Sequence, residues 1–247
     1  MAASVSKYIT DYGGDGHVII LLHGFLSSSK YWTRMQPFLS KAGYRVIAID
    51  LLGFGHAPKP RDVRYGYEDH INYIDSSIQK LQIVQPFTLI GHSMGALIAA
   101  RYSNLFPSKV SASILLHPPL YMTPHEAYTT LRKTNTLYLF LLNSRYRRLG
   151  WALVKTIVRT RIGKHSRYSR ERSLRNVIEQ AEIFTDLENS ATNTLLIVGL
   201  RDRRAYLENV TNASLAKSVT VITEDVTHHS PVEEPALIQR RILDFIT

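Results

Sequence analysis

The stretch that most restricts how this chain can fold is Gly91-His92-Ser93-Met94-Gly95. An apolar run with β character, Pro86-Phe87-Thr88-Leu89-Ile90, precedes it, and Ala96 to Tyr102 reads as helix. A G-x-S-x-G between a strand and a helix is the setting of a nucleophile elbow. Lifting a serine hydroxyl above a strand end requires the chain to reverse within one residue, in a strained conformation. The residues two positions away on either side must then be nearly without side chains, and Gly91 and Gly95 meet that need. The helix that follows aims its opening N–H groups at the serine.

Around this stretch, apolar β runs alternate with helical patterns. His17 to Leu22, Arg45 to Asp50, Ser111 to Leu116, Thr194 to Gly199 and Ser218 to Ile222 read as strands, with Lys7 to Tyr12 as an opening one. Ser29 to Lys41, Tyr67 to Gln82, Tyr206 to Leu215 and Pro235 to Ile246 read as helices. Near-continuous apolar strands are those buried on both faces, so the fold class is α/β with a mostly parallel central sheet flanked by helices. From Tyr121 to Ser190 the alternation stops. Three helices are expected there: one from Thr123 through Leu142, one over Tyr146 to Ile162, and one over Ser169 to Asp186. The domain reading is therefore a core over 1–120 and 191–247 with a helical cap over 121–190. At 247 residues, one domain with an insertion fits better than two domains.

A serine hydroxyl is a weak nucleophile at neutral pH and needs a base, itself held by a third group. On this scaffold the order is Ser, then Asp or Glu, then His. After Ser93, the strand ending at Gly199 leads into Asp202, and the last strand leads into Asp225, His228 and His229. Asp202 is the candidate acid and His228 the candidate base, with His229 as the alternative base and Asp225 as the rival acid. His23 reads as a structural holder of its loop. His117 reads as a pocket-lining or bland residue, and His17 and His56 as surface or loop residues.

His23-Gly24, the Asp50…Gly53…Gly55 loop, the Ser93 pentapeptide, Gly199…Asp202 and a histidine followed by Glu and Pro together resemble the α/β-hydrolase superfamily over nearly the whole chain. Members commonly carry H-x-x-x-x-E-x-P after the last strand. Glu233 and Pro235 fit that spacing from His228 and do not fit it from His229. The usual Gly-x-Gly before this histidine is replaced by Asp225-Val226-Thr227, which leaves the choice of histidine open. The resemblance implies a cap after the sixth strand and an oxyanion hole from the backbone N–H groups of Phe25 and Met94. It also implies an esterase- or lipase-like serine hydrolase that needs no cofactor. The alternatives are a C–C bond hydrolase acting on an anionic ketone acid and a non-catalytic binding protein on the same scaffold.

Composition narrows the partners. The absence of cysteine excludes disulfides and Cys-based zinc sites, and there is no H-E-x-x-H, so no metal is expected. No apolar run approaches the ~20 residues of a membrane span and the start lacks the core of a signal peptide, so the expected compartment is cytoplasmic. The net charge is +10, yet Ala127 to Arg170 alone carries eleven Lys or Arg and no acid. Three accounts are open for that stretch: a solvated face, steering of an anionic ester or acyl substrate, and weak contact with anionic lipid. Nucleic acid is the least favoured partner, because no binding motif accompanies the charge.

Overall fold

A computed structural model describes residues 3–134 and 163–247. Its centre is an eight-stranded sheet with spatial order β1-β2-β4-β3-β5-β6-β7-β8. The strands are β1 (Ala3–Ser6), β2 (Ile9–Asp11), β3 (Val18–Leu22), β4 (Arg45–Ile49), β5 (Phe87–His92), β6 (Val110–Leu116), β7 (Thr194–Gly199) and β8 (Val219–Glu224). β1 and β2 pair antiparallel, β2 runs antiparallel to β4, and every pairing from β4 to β8 is parallel.

The sheet is buried on both faces because its neighbouring residues point to opposite cores. Ile20, Leu22, Ile47, Ile49 and Leu89 join one apolar cluster, with Ile71, Ile74 and Ile78 of α2 (Tyr67–Lys80) and Leu97 of α3 (Met94–Leu105). Ile19, Leu21, Val46, Ala48 and Ile90 join the other. That second cluster also holds Trp32, Leu39 of α1 (Gln36–Lys41), and Ile238 and Ile242 at the C-terminal helix.

The register brings strand ends together. Leu22 lies beside Gly91, His92 beside Leu116, Leu116 beside Ile197, and Gly199 beside Glu224. Strand order reverses between β3 and β5, and ligand sites in such sheets open at that crevice, beyond the carboxyl ends. The loop after β3 and the turn after β5 both stand there.

Between β6 and β7 the described chain is helical, in the place expected for the insertion: α4 (Pro124–Thr134), α5 (Arg167–Ser173) and α6 (Ile183–Glu188). The single helix expected over Ser169–Asp186 is interrupted. α5 widens into a π turn over Leu174–Ile178, where Glu179 N–H donates to Leu174 O at 2.9 Å, and Ala181 then takes φ 53°. The helix expected over Tyr146–Ile162, the apolar run Leu137–Leu142 and six of the basic residues (Arg145, Arg147, Arg148, Lys155, Arg159, Arg161) lie outside the described residues. α6 is braced to α3: Arg101 reaches Asp186 at 2.5 Å and Glu182 at 2.8 Å, and its guanidinium lies 4.5 Å from the Tyr67 ring centre.

Two further expectations change in detail. The opening strand is a hairpin of β1 and β2, with Lys7 and Tyr8 in the turn. The helix expected over Ser29–Lys41 begins as a 3-10 stretch (Ser29–Arg34), then restarts as α1 with Pro37 in its first turn. Proline has no N–H to continue the earlier ladder, and its ring favours a helix start. The remaining helices are α7 (Arg204–Asn212), α8 (Ser230–Glu233) and α9 (Pro235–Ile246). Among the described residues no helix is long and apolar enough to cross a membrane.

Candidate active site

Ser93 sits between β5 and α3 at φ 53°, ψ −120°, a conformation that costs about 1–3 kcal/mol in a residue with a side chain. Its N–H donates to Leu116 O at 2.9 Å, which extends the β5–β6 ladder by one residue. The flanking glycines are required sterically. A Cβ on Gly91 would meet the Gly95 carbonyl oxygen at 2.3 Å, and one on Gly95 would meet the carbonyl oxygens of Leu22 and His23 at 2.4 and 2.5 Å. All are backbone atoms that cannot give way. Ser93 is 8% exposed, and among the described residues its hydroxyl has no hydrogen-bond partner. Nucleophile–base contacts are often loose before substrate arrives.

The loop after β3 lies against the elbow. A Cβ on Gly24 would stand 3.1 Å from Ser93 Cβ. His23 is fully buried and holds this loop by both ring nitrogens: Nε2 accepts from Leu51 N–H at 2.9 Å and Nδ1–H donates to Gly24 O at 2.7 Å. Burial holds its pKa below the ordinary value, in keeping with the neutral tautomer those bonds require. Phe25, whose ring lies 5.9 Å from that of Phe54, follows Gly24, and Met94 is the first residue of α3. Gly163 N–H donates to Leu26 O at 2.8 Å, so the returning end of the insertion touches the same loop.

Asp202 and His228 come from the ends of β7 and β8. His228 Nδ1 and Asp202 Oδ2 are 2.6 Å apart, and Asp202 Oδ1 accepts from Arg203 N–H at 2.9 Å. Burial acts to raise the Asp202 carboxyl. The His228 hydrogen bond and charge outweigh it and leave the group below the usual carboxylate range. Asp225 lies apart from this pair. Its side chain is 80% exposed and faces Arg201 at 3.2 Å. His229 is beside His228, with ring centres 5.3 Å apart, but the Asp202 carboxylate meets His228.

Two buried histidines outside the acid–base pair, His92 and His117, hold the His228 turn. His92 is buried, stacks on Tyr31 with ring centres 4.5 Å apart, and has Nε2 2.8 Å from the backbone carbonyl of His228. A carbonyl only accepts, so His92 carries its proton on Nε2. Nδ1 is then a bare acceptor, buried without a partner among the described residues. Burial first, then the neighbouring histidines, hold the His92 pKa well below its ordinary value. His117 was expected to line the pocket or be bland. It is instead 1% exposed at φ 49°, with Nε2 2.6 Å from Ser230 Oγ at the start of α8. One histidine thus holds the carbonyl of residue 228, and the other holds residue 230. Residue 92 is a variable position of the pentapeptide, so the motif carries no signal for this role.

The buried imidazoles give a stability prediction. His117 is pushed down to about 4 by burial, and His70, fully buried with Nε2 3.1 Å from Ser173 Oγ, to about 3. Both are neutral when folded, whereas the unfolded chain gains these protons near pH 6.5. Their contribution is complete above that value and is lost as pH falls towards 4. Between pH 7 and 4.5 each is expected to remove about 2–3 kcal/mol from the unfolding free energy. Urea unfolding at the two pH values measures it, and equal midpoints would contradict the buried neutral state.

A mostly parallel α/β sheet thus carries a strained serine elbow at its switch point and an acid–histidine pair on its last two strand ends. Residues 17–148 match the family model described as alpha/beta hydrolase fold, and the chain belongs to that family. Among curated proteins it is similar to a probable lysophospholipase, BODYGUARD 4 of Arabidopsis thaliana, at 41% identity over 41% of this chain and 30% of that protein. It is also similar to a haloalkane dehalogenase of Mycobacterium marinum, at 39% identity over 38% of this chain and 32% of that protein. The matches thus span about a third of those relatives' length. Among solved structures it resembles MenH from S. aureus (TM-score 0.75, 20% identity, 98% of each chain). An esterase from Exiguobacterium antarcticum is also similar (TM-score 0.74, 22% identity, 96% of this chain and 94% of that one).

Proposed function

We propose that the chain is a serine hydrolase that cleaves carboxylic esters through an acyl-serine intermediate, with Ser93 as nucleophile, His228 as base and Asp202 as its orienting acid. The observation that carries this reading is the 2.6 Å Asp202–His228 pair on a turn whose carbonyl is held by His92, the residue next to Ser93. Asp202 fixes the proton on Nδ1 and leaves Nε2 as a lone pair. Ser93 Oγ bonds to the ester carbonyl carbon as its proton passes to Nε2. The imidazolium then protonates the departing alkoxide, and water repeats the sequence to release the acid and restore the hydroxyl. The N–H groups of Phe25 and Met94 are the donors for the oxyanion.

Some relatives are named haloalkane dehalogenase and bifunctional epoxide hydrolase. Halide displacement and epoxide opening on this scaffold rest on a carboxylate nucleophile, and residue 93 is a serine. Esters are therefore favoured, and the relatives named probable lysophospholipase make acyl esters of lipids the first natural substrates to try. The test is labelling by a fluorophosphonate, with peptide mapping, alongside turnover of 4-nitrophenyl esters of graded chain length. Labelling confined to Ser93 together with ester turnover supports the reading. A folded protein that does neither overturns it.

His92 has a positioning role in this scheme. His92→Ala is expected to lower kcat by about 10²-fold with KM little changed, because the base drifts from its station. His92→Gln, whose amide N–H can reach the same carbonyl, should restore most of the loss. An unchanged kcat in the alanine variant would remove the role.

A further inference from the structure

Away from the elbow, a groove of about 790 Å³ opens between the loop over 62–64 and the α5–π-turn segment. Four arginines line it (Arg64, Arg167, Arg172 and Arg175) against two acids, Asp62 and Glu171, a formal excess of two positive charges. Arg167 is paired with Glu171 at 2.8 Å. Arg64 and Arg175 are exposed and form no ion pair among the described residues. Arg172 spends its Nη1 on the backbone carbonyls of Arg61 and Val63, and among the described residues it forms no ion pair.

The walls are fixed to each other. The same Arg172 bonds and that of Asn176 Nδ2 to Arg64 O at 2.6 Å tie the two segments together. The guanidinium groups of Arg61 and Arg172 lie 6.0 and 5.0 Å from the Tyr168 ring centre. The π turn contributes as well. Such turns shift side-chain register and recur at functional sites. Here Arg175 and Asn176 lie on it and Arg172 just before it, and all three face one groove.

We propose that this groove is a second binding site, separate from Ser93, that holds a phosphomonoester between Arg64, Arg172 and Arg175. A carboxylate would occupy one guanidinium fork and leave the other charges uncompensated. A phosphomonoester brings nearly two negative charges and three acceptor oxygens, which match the excess charge and the three guanidinium groups. The groove is larger than phosphate alone and within the range of small-molecule sites, so it accepts the group to which the phosphate is attached. The phosphate can belong to a dissolved metabolite or to a lipid headgroup.

The test measures two probes against the full chain: glycerol 3-phosphate by calorimetry, and phosphatidylcholine vesicles with and without phosphatidic acid by sedimentation. The wild type is expected to bind at least one of the phosphate probes, more weakly as salt rises. Binding of glycerol 3-phosphate alone identifies a soluble ligand, and binding of the acidic vesicles alone identifies a headgroup. Arg64→Glu with Arg175→Glu should weaken binding at least about tenfold, whereas Arg204→Glu, an exposed charge reversal on α7, should not. Turnover of a dissolved 4-nitrophenyl ester should be the same in all three proteins, so failure here is separable from failure of the Ser93 reading. Absence of binding by the wild type, a double variant that binds as tightly as wild type, or an equal loss in Arg204→Glu would each overturn the proposal.

Discussion

Ser93→Ala is expected to lower kcat for 4-nitrophenyl esters by about 10⁴–10⁶-fold, with the folded state retained. The retention follows from the backbone. Residue 93 keeps φ 53° because Gly91, Gly95 and Gly24 leave no other course for the chain, and alanine carries the same Cβ as serine. The substitution therefore removes one oxygen and leaves the strain where it was. Ser93→Gly is the informative partner, since glycine tolerates this φ: it should be as inactive as the alanine variant and modestly more stable. His228→Ala should fall about as far as Ser93→Ala, and the double variant little further, because a nucleophile without its base and a base without its nucleophile are equally idle. Substantial residual turnover in Ser93→Ala, or clearly additive losses in the double variant, would place the chemistry elsewhere.

What could be read from residues alone, and what could not, divides along a physical line. The elbow was readable because its constraint is steric and local: two glycines four apart, strand before, helix after. The alternation of β3 to β8 with helices was readable because burial on both faces demands apolar runs. The β1–β2 hairpin was missed because Ala3–Ser6 is short and half polar, and its partner is a segment that alone reads as one strand. The π turn has no local signature, since its cause is tertiary: Asn176 and Arg172 bind carbonyls more than 100 residues earlier. His92 and His117 were unreadable for the same reason. Each acts on a turn over 110 residues away in sequence, through a single ring nitrogen. The Thr227 hydroxyl donates to Glu233, which closes the turn after β8 in the absence of the glycines expected before His228.

Asp202→Asn is expected to lower kcat by about 10⁴-fold while Asp225→Asn changes it less than about twofold. The two acids lie 23 positions apart in sequence, and both precede His228. Their environments separate them. Asp202 is 11% exposed at the side chain and meets Nδ1 at 2.6 Å, whereas Asp225 is 80% exposed and faces Arg201. An asparagine at 202 can turn its amide N–H towards Nδ1. That bond selects the tautomer with the proton on Nε2, and an Nε2–H cannot accept the serine proton. The geometry is kept and the base is lost, so the effect falls on kcat. In the wild type the His228 partnership holds the Asp202 carboxyl below its usual range, so Asp202 stays ionised throughout the neutral and mildly acidic range. Any rate limb in that range then does not belong to this carboxylate. Should Asp225→Asn prove the damaging change and Asp202→Asn the silent one, the loop after β8 would have to refold around substrate, and the pairing of Asp202 with His228 would be a resting arrangement only.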